Sequence, residues 1–284
     1  MRLLVTGAGG QLAHDLKACL GGETLVALTR AELDITNATA VRAALERHRP
    51  DCVINTAAYN RVDDAEAEPE VAFAVNAQGV EHLARAAAAA GAVLVHFSTD
   101  YVFDGSKRAP YVETDAPHPL SVYARSKRAG EEAVQRRCEK YFLLRTCGLY
   151  GVAGNRSKGG NFVERMLRLG SEGKPIRVVN DQVLTPTSAR DLAEKLLPLL
   201  RSRRYGLYHM TNAGECSWYD FAREIFQRAG LAAALEPVST AAFAARARRP
   251  PYSVLDNAAY RAAGFQDFRP WQEALADYIR QRQV

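Results

Sequence analysis

Apolar residues recur along this chain in two alternating rhythms. Leu3-Leu4-Val5 is a short continuous apolar run, and Gly7-Ala8-Gly9-Gly10 follows it directly. Residues 11–20 then place Leu12, Leu16 and Leu20 on one face, the spacing of an amphipathic helix. The pattern repeats. Strands are predicted at Thr24–Leu28, Asp51–Asn55, Val93–Phe97 and Tyr141–Leu144. Helices are predicted at about 39–48 (stopped by Pro50), 70–90 (ended by Gly91) and 121–138. Continuous apolar strands separated by helices predict a parallel sheet covered on both faces.

The rhythm loosens after about residue 150. Residues 151–160 read as a loop rich in Gly, Ser and basic residues. Helices are predicted at about 161–172, 188–201, 218–229 and 270–281, with short strands at Ile176–Val179 and Leu207–Met210. The fold class is therefore α/β: a Rossmann-type doubly wound parallel sheet with a smaller C-terminal substrate-binding lobe. The expected division gives residues 1–155, rejoined by roughly 182–212, to a dinucleotide-binding domain. Roughly 156–181 and 213–284 go to the lobe.

Composition narrows the class of function. With 284 residues, 48% hydrophobic and 24% charged, the chain has an ordinary globular balance. No apolar stretch approaches the roughly 18 residues of a spanning helix, and the N-terminus leads straight into a strand. A cytoplasmic protein with no membrane partner is expected. The net charge of +5 is spread along the chain with small clusters at Arg136-Arg137, Arg201–Arg204 and Arg246–Arg249. These are read as solvated helix ends, or as attraction for an anionic ligand such as a pyrophosphate. No nucleic-acid motif accompanies them. Five scattered cysteines without a C-x-x-C pair fit reduced structural thiols and give no metal site.

Gly7-x-x-Gly10-x-x-Ala13 lies between the first strand and first helix, where a tight turn and free helix N–H groups can cradle a dinucleotide pyrophosphate. NAD-selective sites often carry an acid at the end of strand two. Here Thr29 and Arg30 stand there, with Glu32 and Asp34 beyond. Arg30 opposite a 2′-phosphate favours NADPH, with NADH tolerated.

Tyr123 and Lys127 are spaced i, i+4 on a predicted helix, about 5–6 Å apart at Cβ. A ketone that accepts hydride must also gain a proton. A Tyr with its pKa lowered by a neighbouring ammonium suits that task. Thr99 closes the fourth strand, where ligands bind in open α/β sheets and where its hydroxyl can bond a substrate carbonyl. No Gly-x-Ser-x-Gly elbow, P-loop or His-x-x-x-His pair offers another chemistry. His96 and His209 read as strand residues.

These residues carry a resemblance. The stretches are Gly7–Leu12, Asn55–Tyr59, Val62-Asp63 with Ala65-Glu66, Ser98–Gly105, Pro119–Tyr123, Gly130-Glu131, Arg145-Thr146, Asn161–Val163, Asp181-Gln182, Pro186-Thr187 and Arg249-Pro250 with Ser253 and Leu255. Taken in order they resemble the extended short-chain dehydrogenase/reductases, and within them the dTDP-4-dehydrorhamnose reductase family, over nearly the whole chain. The resemblance implies NAD(P)H reduction of the 4-keto group of a nucleotide-linked deoxysugar, dTDP-4-dehydro-L-rhamnose giving dTDP-L-rhamnose. It implies Gly10, Gln11 and Leu12 at the cofactor pyrophosphate, Asp34 and Ile35 near the adenine, and Ala58, Tyr59 and Asn60 along the cofactor. Thr99, Asp100, Tyr101, Asn161 and Arg249 would bind substrate. Tyr123 would donate the proton and Lys127 would orient the ribose. Some members of that family form homodimers, in cases through Mg²⁺.

Four positions depart from the family pattern: Gly148 for a Trp near the sugar, Asn60 for a Thr, Ala124 for a Gly, and Leu184 for a Gly. Two other readings stand beside the reductase. One is a sugar-nucleotide dehydratase or epimerase, and the dehydratase chemistry is disfavoured because Tyr101, not a second carboxylate, follows Asp100. A non-catalytic regulatory subunit, similar to that of methionine adenosyltransferase, is disfavoured by the intact Tyr123, Lys127 and Thr99.

Overall fold

The computed structural model describes residues 1–153 and 160–282. The boundary expected at 155/156 and most of the loop expected at 151–160 lie outside the described residues. The first half alternates strictly: β1 (Arg2–Thr6), α1 (Gln11–Cys19), β2 (Thr24–Leu28), α2 (Ala38–His48), β3 (Cys52–Asn55), α3 (Pro69–Phe73), α4 (Gly79–Ala89), β4 (Val93–Thr99), α5 (Val122–Arg137) and β5 (Tyr141–Thr146). The second half holds β6 (Leu149–Tyr150), α6 (Phe162–Ser171), β7 (Ile176–Val179), β8 (Val183–Leu184), β9 (Thr187–Ser188), α7 (Ala189–Ser202) and β10 (Gly206–His209). It ends with β11 (Cys216–Ser217), α8 (Trp218–Ala229), β12 (Leu235–Val238), α9 (Thr240–Phe243), α10 (Ala258–Ala262) and α11 (Trp271–Arg282).

Six strands form one sheet in the order β2-β1-β3-β4-β5-β10, and every pairing in it is parallel. Leu12 and Leu16 of α1 and Leu192 and Leu196 of α7 pack one face with Leu3, Val5 and Ile54. Val41, Leu83 and Val134, from α2, α4 and α5, pack the other with Leu4, Val53 and Leu94. The expected Rossmann-type sheet covered on both faces is what forms. Strand order reverses between β1 and β3, which opens a crevice beyond their C-terminal ends, where ligands bind in such sheets.

A separate core gathers Tyr150, Val163, Phe221, Ile225, Trp271 and Tyr278 around α6, α8 and α11. The parallel pair β7 and β12 lies against it. No described helix is long and apolar enough to cross a membrane.

The helix expected over 70–90 forms over residues 69–89 but carries a π turn within it. That turn, Ala74–Gln78, separates α3 from α4. It presents Asn76, whose buried amide accepts from the Tyr59 N–H at 2.9 Å and donates to the Tyr59 carbonyl at 2.9 Å and to Ser126 Oγ at 3.0 Å. A Cβ on Gly130 of α5 would stand 2.1 Å from the Asn76 carbonyl oxygen, so only glycine lets the two helices meet there. The widened turn thus ties the loop after β3 to the helix carrying Tyr123. Local periodicity does not report such a tie.

Candidate active site

The glycine turn has the form a pyrophosphate needs. Gly7 sits at φ +68°, and a Cβ on it would lie 2.7 Å from the Ala57 nitrogen. The Gly10 N–H donates to the Gly7 carbonyl at 2.9 Å. Gly10 is the N-cap of α1, and no side chain caps that helix. Its first N–H groups therefore face outward with the positive end of the helix dipole. A Cβ on Gly9 would meet nothing within 4 Å, so the turn is open on its outer side.

Gln11 and Leu12 offer such a ligand their backbone only. The Gln11 amide donates to the Leu149 carbonyl at 3.0 Å and accepts from Asn161 at 2.9 Å. Leu12 is buried in the core. Asn161, expected at the substrate, is the N-cap of α6 and also donates to the Gly151 carbonyl. Its side chain ties the lobe to α1.

At the end of β2 the acids are engaged locally. Glu32 accepts from the Thr29 N–H and hydroxyl, both at 2.8 Å, and these bonds hold its carboxyl below the usual range. Asp34 accepts from the Thr36 N–H and hydroxyl, with the same effect. Arg30 is left 83% exposed, with one loose contact to Asp34 at 3.5 Å. An exposed cation therefore stands just past the end of β2. Ile35 is buried beneath Gly79, and its carbonyl meets His82 Nδ1 at 3.1 Å. Ala58 is exposed, whereas the Tyr59 hydroxyl donates to Glu68 at 2.7 Å. Asn60 lies on the same loop.

Tyr123 occupies the first turn of α5. Ser121 caps that turn by accepting from the Ala124 N–H, and Glu66 accepts from the Val122 N–H at 2.8 Å. The phenol packs edge-on against Tyr101, ring centroids 6.2 Å apart. Burial raises its pKa, and hydrogen bonding by the Thr99 side chain offsets part of that rise. This reverses the expectation that Lys127 acidifies Tyr123. Lys127 turns instead to the sheet, donating to the Phe97 carbonyl at 2.6 Å. Burial pulls its own pKa down to about 8, with Glu131 pulling the other way.

Thr99 is bonded within its own segment. Its hydroxyl donates to Asp100 Oδ1 at 3.0 Å and accepts from the Tyr101 N–H at 3.2 Å. The other Asp100 oxygen accepts from the Cys147 thiol at 2.9 Å. The Asp100 carboxyl is thus a buried tether with its pKa raised by burial. Arg249 grips Asp63 through two bonds of 2.6 and 3.1 Å, and it also reaches Tyr101. Expected at the substrate, it clamps the C-terminal segment onto the loop after β3.

The geometry adds residues that had no role in the sequence reading. Glu131, fully buried, takes two bonds from Arg145 at 2.7 and 2.8 Å and one from Arg128 at 2.9 Å. Burial opposes its charge, but Arg145 together with Ser98 and Arg128 outweighs it, and its pKa is lowered. Arg145 reaches toward His209 Nε2 at 3.5 Å, and His209 Nδ1 meets the Tyr111 carbonyl at 3.0 Å. His96 and His209 are buried strand residues, as expected. Gly130-Glu131 and Arg145-Thr146 were visible as matching stretches, and a charge on the apolar face of α5 was the available signal. Asn76 and Cys147 carried none. Among the described residues no group of three or more His, Cys, Asp or Glu side chains could hold a metal ion.

Comparison with known proteins gives a consistent pattern. The family model of the RmlD substrate binding domain matches residues 1–284. A dTDP-4-dehydrorhamnose reductase of Streptomyces griseus is 43% identical, over 97% of this chain and 92% of its own length. The spore coat polysaccharide biosynthesis protein SpsK of Bacillus subtilis is 40% identical, over 99% and 98%. The crystal structure of a Bacillus anthracis dTDP-4-dehydrorhamnose reductase in complex with NADP superposes with a TM-score of 0.95, at 40% identity and 99% coverage of both chains.

Proposed function

The chain belongs to the family of the RmlD substrate binding domain, and from that premise we propose that it reduces the 4-keto group of a dTDP-linked 6-deoxy sugar with NADPH. The substrate of this reading is dTDP-4-dehydro-L-rhamnose and the product dTDP-L-rhamnose. One observation carries it: the Tyr123 ring packs edge-on against Tyr101, two residues past Thr99 at the C-terminal end of β4, at the sheet edge that also carries the open glycine turn.

The cofactor's pyrophosphate would rest on Gly7–Gly10 and the uncapped start of α1, its 2′-phosphate near Arg30, and its nicotinamide ribose near Lys127. When bound, the cofactor supplies the hydride that reaches C4. The chain's own residues handle the proton. Tyr123 donates its hydroxyl proton to the oxygen at C4. The start of α5 adds its positive dipole end, which stabilises the phenolate left behind. Tyr101, packed against Tyr123, fixes the ring. Residues of the second core, with the clamp of Arg249 on Asp63, form the substrate lobe in this reading. Homodimer assembly and a cytoplasmic location belong to the same proposal, and light scattering and cell fractionation test them.

The assay is NADPH oxidation with the dTDP-linked 4-keto sugar. Tyr123→Phe is expected to lower kcat by roughly 10²-fold or more, with little change in NADPH affinity. Near-normal turnover of that variant would remove Tyr123 from the reaction.

A further inference from the structure

Tyr123 stands on a part of α5 that the helix does not hold by itself. The first N–H groups of a helix have no partner within it, and the turn frays unless something else takes them. Tyr123 is the second residue of α5, after Val122. Ser121 takes the Ala124 N–H at 3.2 Å. α5 has no acidic residue in its own first turn. The Val122 N–H goes instead to Glu66 Oε1 at 2.8 Å, a side chain 56 residues earlier in the chain.

The segment that carries Glu66 is held firmly. Glu66 closes a 3₁₀ turn over Asp64–Glu66. The Ala65 N–H donates to the Arg61 carbonyl at 2.9 Å, and the Glu68 N–H to the Asp64 carbonyl at 2.9 Å. Ala65 is fully buried and packs with Tyr59, Ala72 and Val122, and Tyr123 lies against the same cluster. At the start of the turn Asp63 accepts from Arg249 at 2.6 and 3.1 Å and from the Ala247 N–H at 3.0 Å. Arg61 pairs with Asp64 and Glu68 rather than with Glu66. A carboxylate on the first N–H of a helix makes a charge-assisted bond, about twice as strong as a neutral one. It also meets the positive end of the helix dipole.

We propose that Glu66 is a positioning residue for Tyr123. It fixes the first turn of α5, and with it the place of the phenol, from a turn that the Arg249–Asp63 clamp holds at its other end. The C-terminal segment and the tyrosine are thereby joined through residues 63–66. Misplacing a reacting group by ~1 Å costs about 10²-fold in rate. A frayed first turn is therefore felt in kcat before it is felt in binding. The glycine turn and Thr99 lie on other segments and keep their own contacts.

The proposal rests on the ketoreductase reading, and its test separates the two. Wild-type turnover of the keto sugar tests the reading. Whether Glu66 holds the turn is read without turnover, from hydrogen exchange of the Val122 amide by NMR. Glu66→Ala should speed that exchange by about fivefold or more, whereas Glu66→Gln, which keeps a neutral acceptor, should stay near wild type. In the assay, Glu66→Ala should lower kcat by roughly 10- to 10²-fold, with KM for sugar and for NADPH within about twofold of wild type. Glu66→Gln should recover kcat to within about threefold. A merely structural role would lower the melting temperature and leave kcat of the folded protein unchanged. Asp63→Ala should lower kcat by a smaller factor and add nothing in the Glu66→Ala background, since both act through one turn. Three results overturn the proposal: turnover in Glu66→Ala within about twofold of wild type, an equal loss in Glu66→Gln, or single effects that multiply in the double variant.

Discussion

Lys127→Met tests how the buried amine is held. The Lys127 side chain is 3% exposed, and burial lowers its pKa to about 8. In an unfolded chain a Lys titrates near ~10.4. The folded value lies below the unfolded one, so between about pH 8 and ~10.4 the unfolded state binds more protons than the folded state. The wild-type protein therefore gains stability as pH rises through that window. Below it, the penalty of burying the cation is fully present. The difference of about 2.4 pKa units, at ~1.36 kcal/mol each, makes that penalty about 3 kcal/mol. Met carries no charge and no such penalty. It also forfeits the 2.6 Å bond to the Phe97 carbonyl, which displaces its curve by roughly 1.5–3 kcal/mol. Below pH 8 that displacement is constant. The assay is urea unfolding of both proteins at intervals from pH 7 to 10.5. The stability of Lys127→Met relative to wild type should be highest at pH 7–8 and fall by about 3 kcal/mol toward pH 10.5. Curves that stay parallel would show that the amine is not desolvated in the folded protein, and the reasoning would fail. The variant should also lose at least roughly 10²-fold in turnover.

Three further outcomes follow from other parts of the molecule. Gly7→Ala meets both a left-handed φ and a 2.7 Å clash with Ala57. It should destabilise by about 1–3 kcal/mol and weaken NADPH binding, read by thermal melting and fluorescence titration. Arg30→Ala removes the cation at the end of β2, so the KM for NADPH should rise by about tenfold, equivalent to roughly 1.4 kcal/mol, while that for NADH holds; equal effects on both would assign Arg30 no role in cofactor choice. Glu131→Gln strands the buried Arg145 guanidinium, costing about 3–5 kcal/mol and lowering the melting temperature. It should also move the Lys127 titration below about 8, since Glu131 is the charge that raises it.

The sequence by itself determined the layers, the turn and the residue types of the chemistry. Continuous apolar runs and the period-3.6 pattern are local, and Leu3–Val5, Leu12-Leu16 and Val93–Phe97 fall where those patterns place them, the strands because both their faces are buried and the helix because one face is. Gly7 is legible because its left-handed backbone and the close approach of Ala57 admit little else. Tyr123 and Lys127 are legible as a pair because helix geometry fixes their spacing. The tertiary structure alone decided where their polar atoms point. Lys127 turns to the Phe97 carbonyl, Thr99 to Asp100, Arg249 to Asp63 and Asn161 to Gln11. Each partner except Asp100 is distant along the chain, and most buried polar atoms find their bond wherever packing offers one. The π turn at Asn76 belongs to the same class. It exists because α5 arrives against it at Gly130, which no periodicity within residues 70–90 can announce.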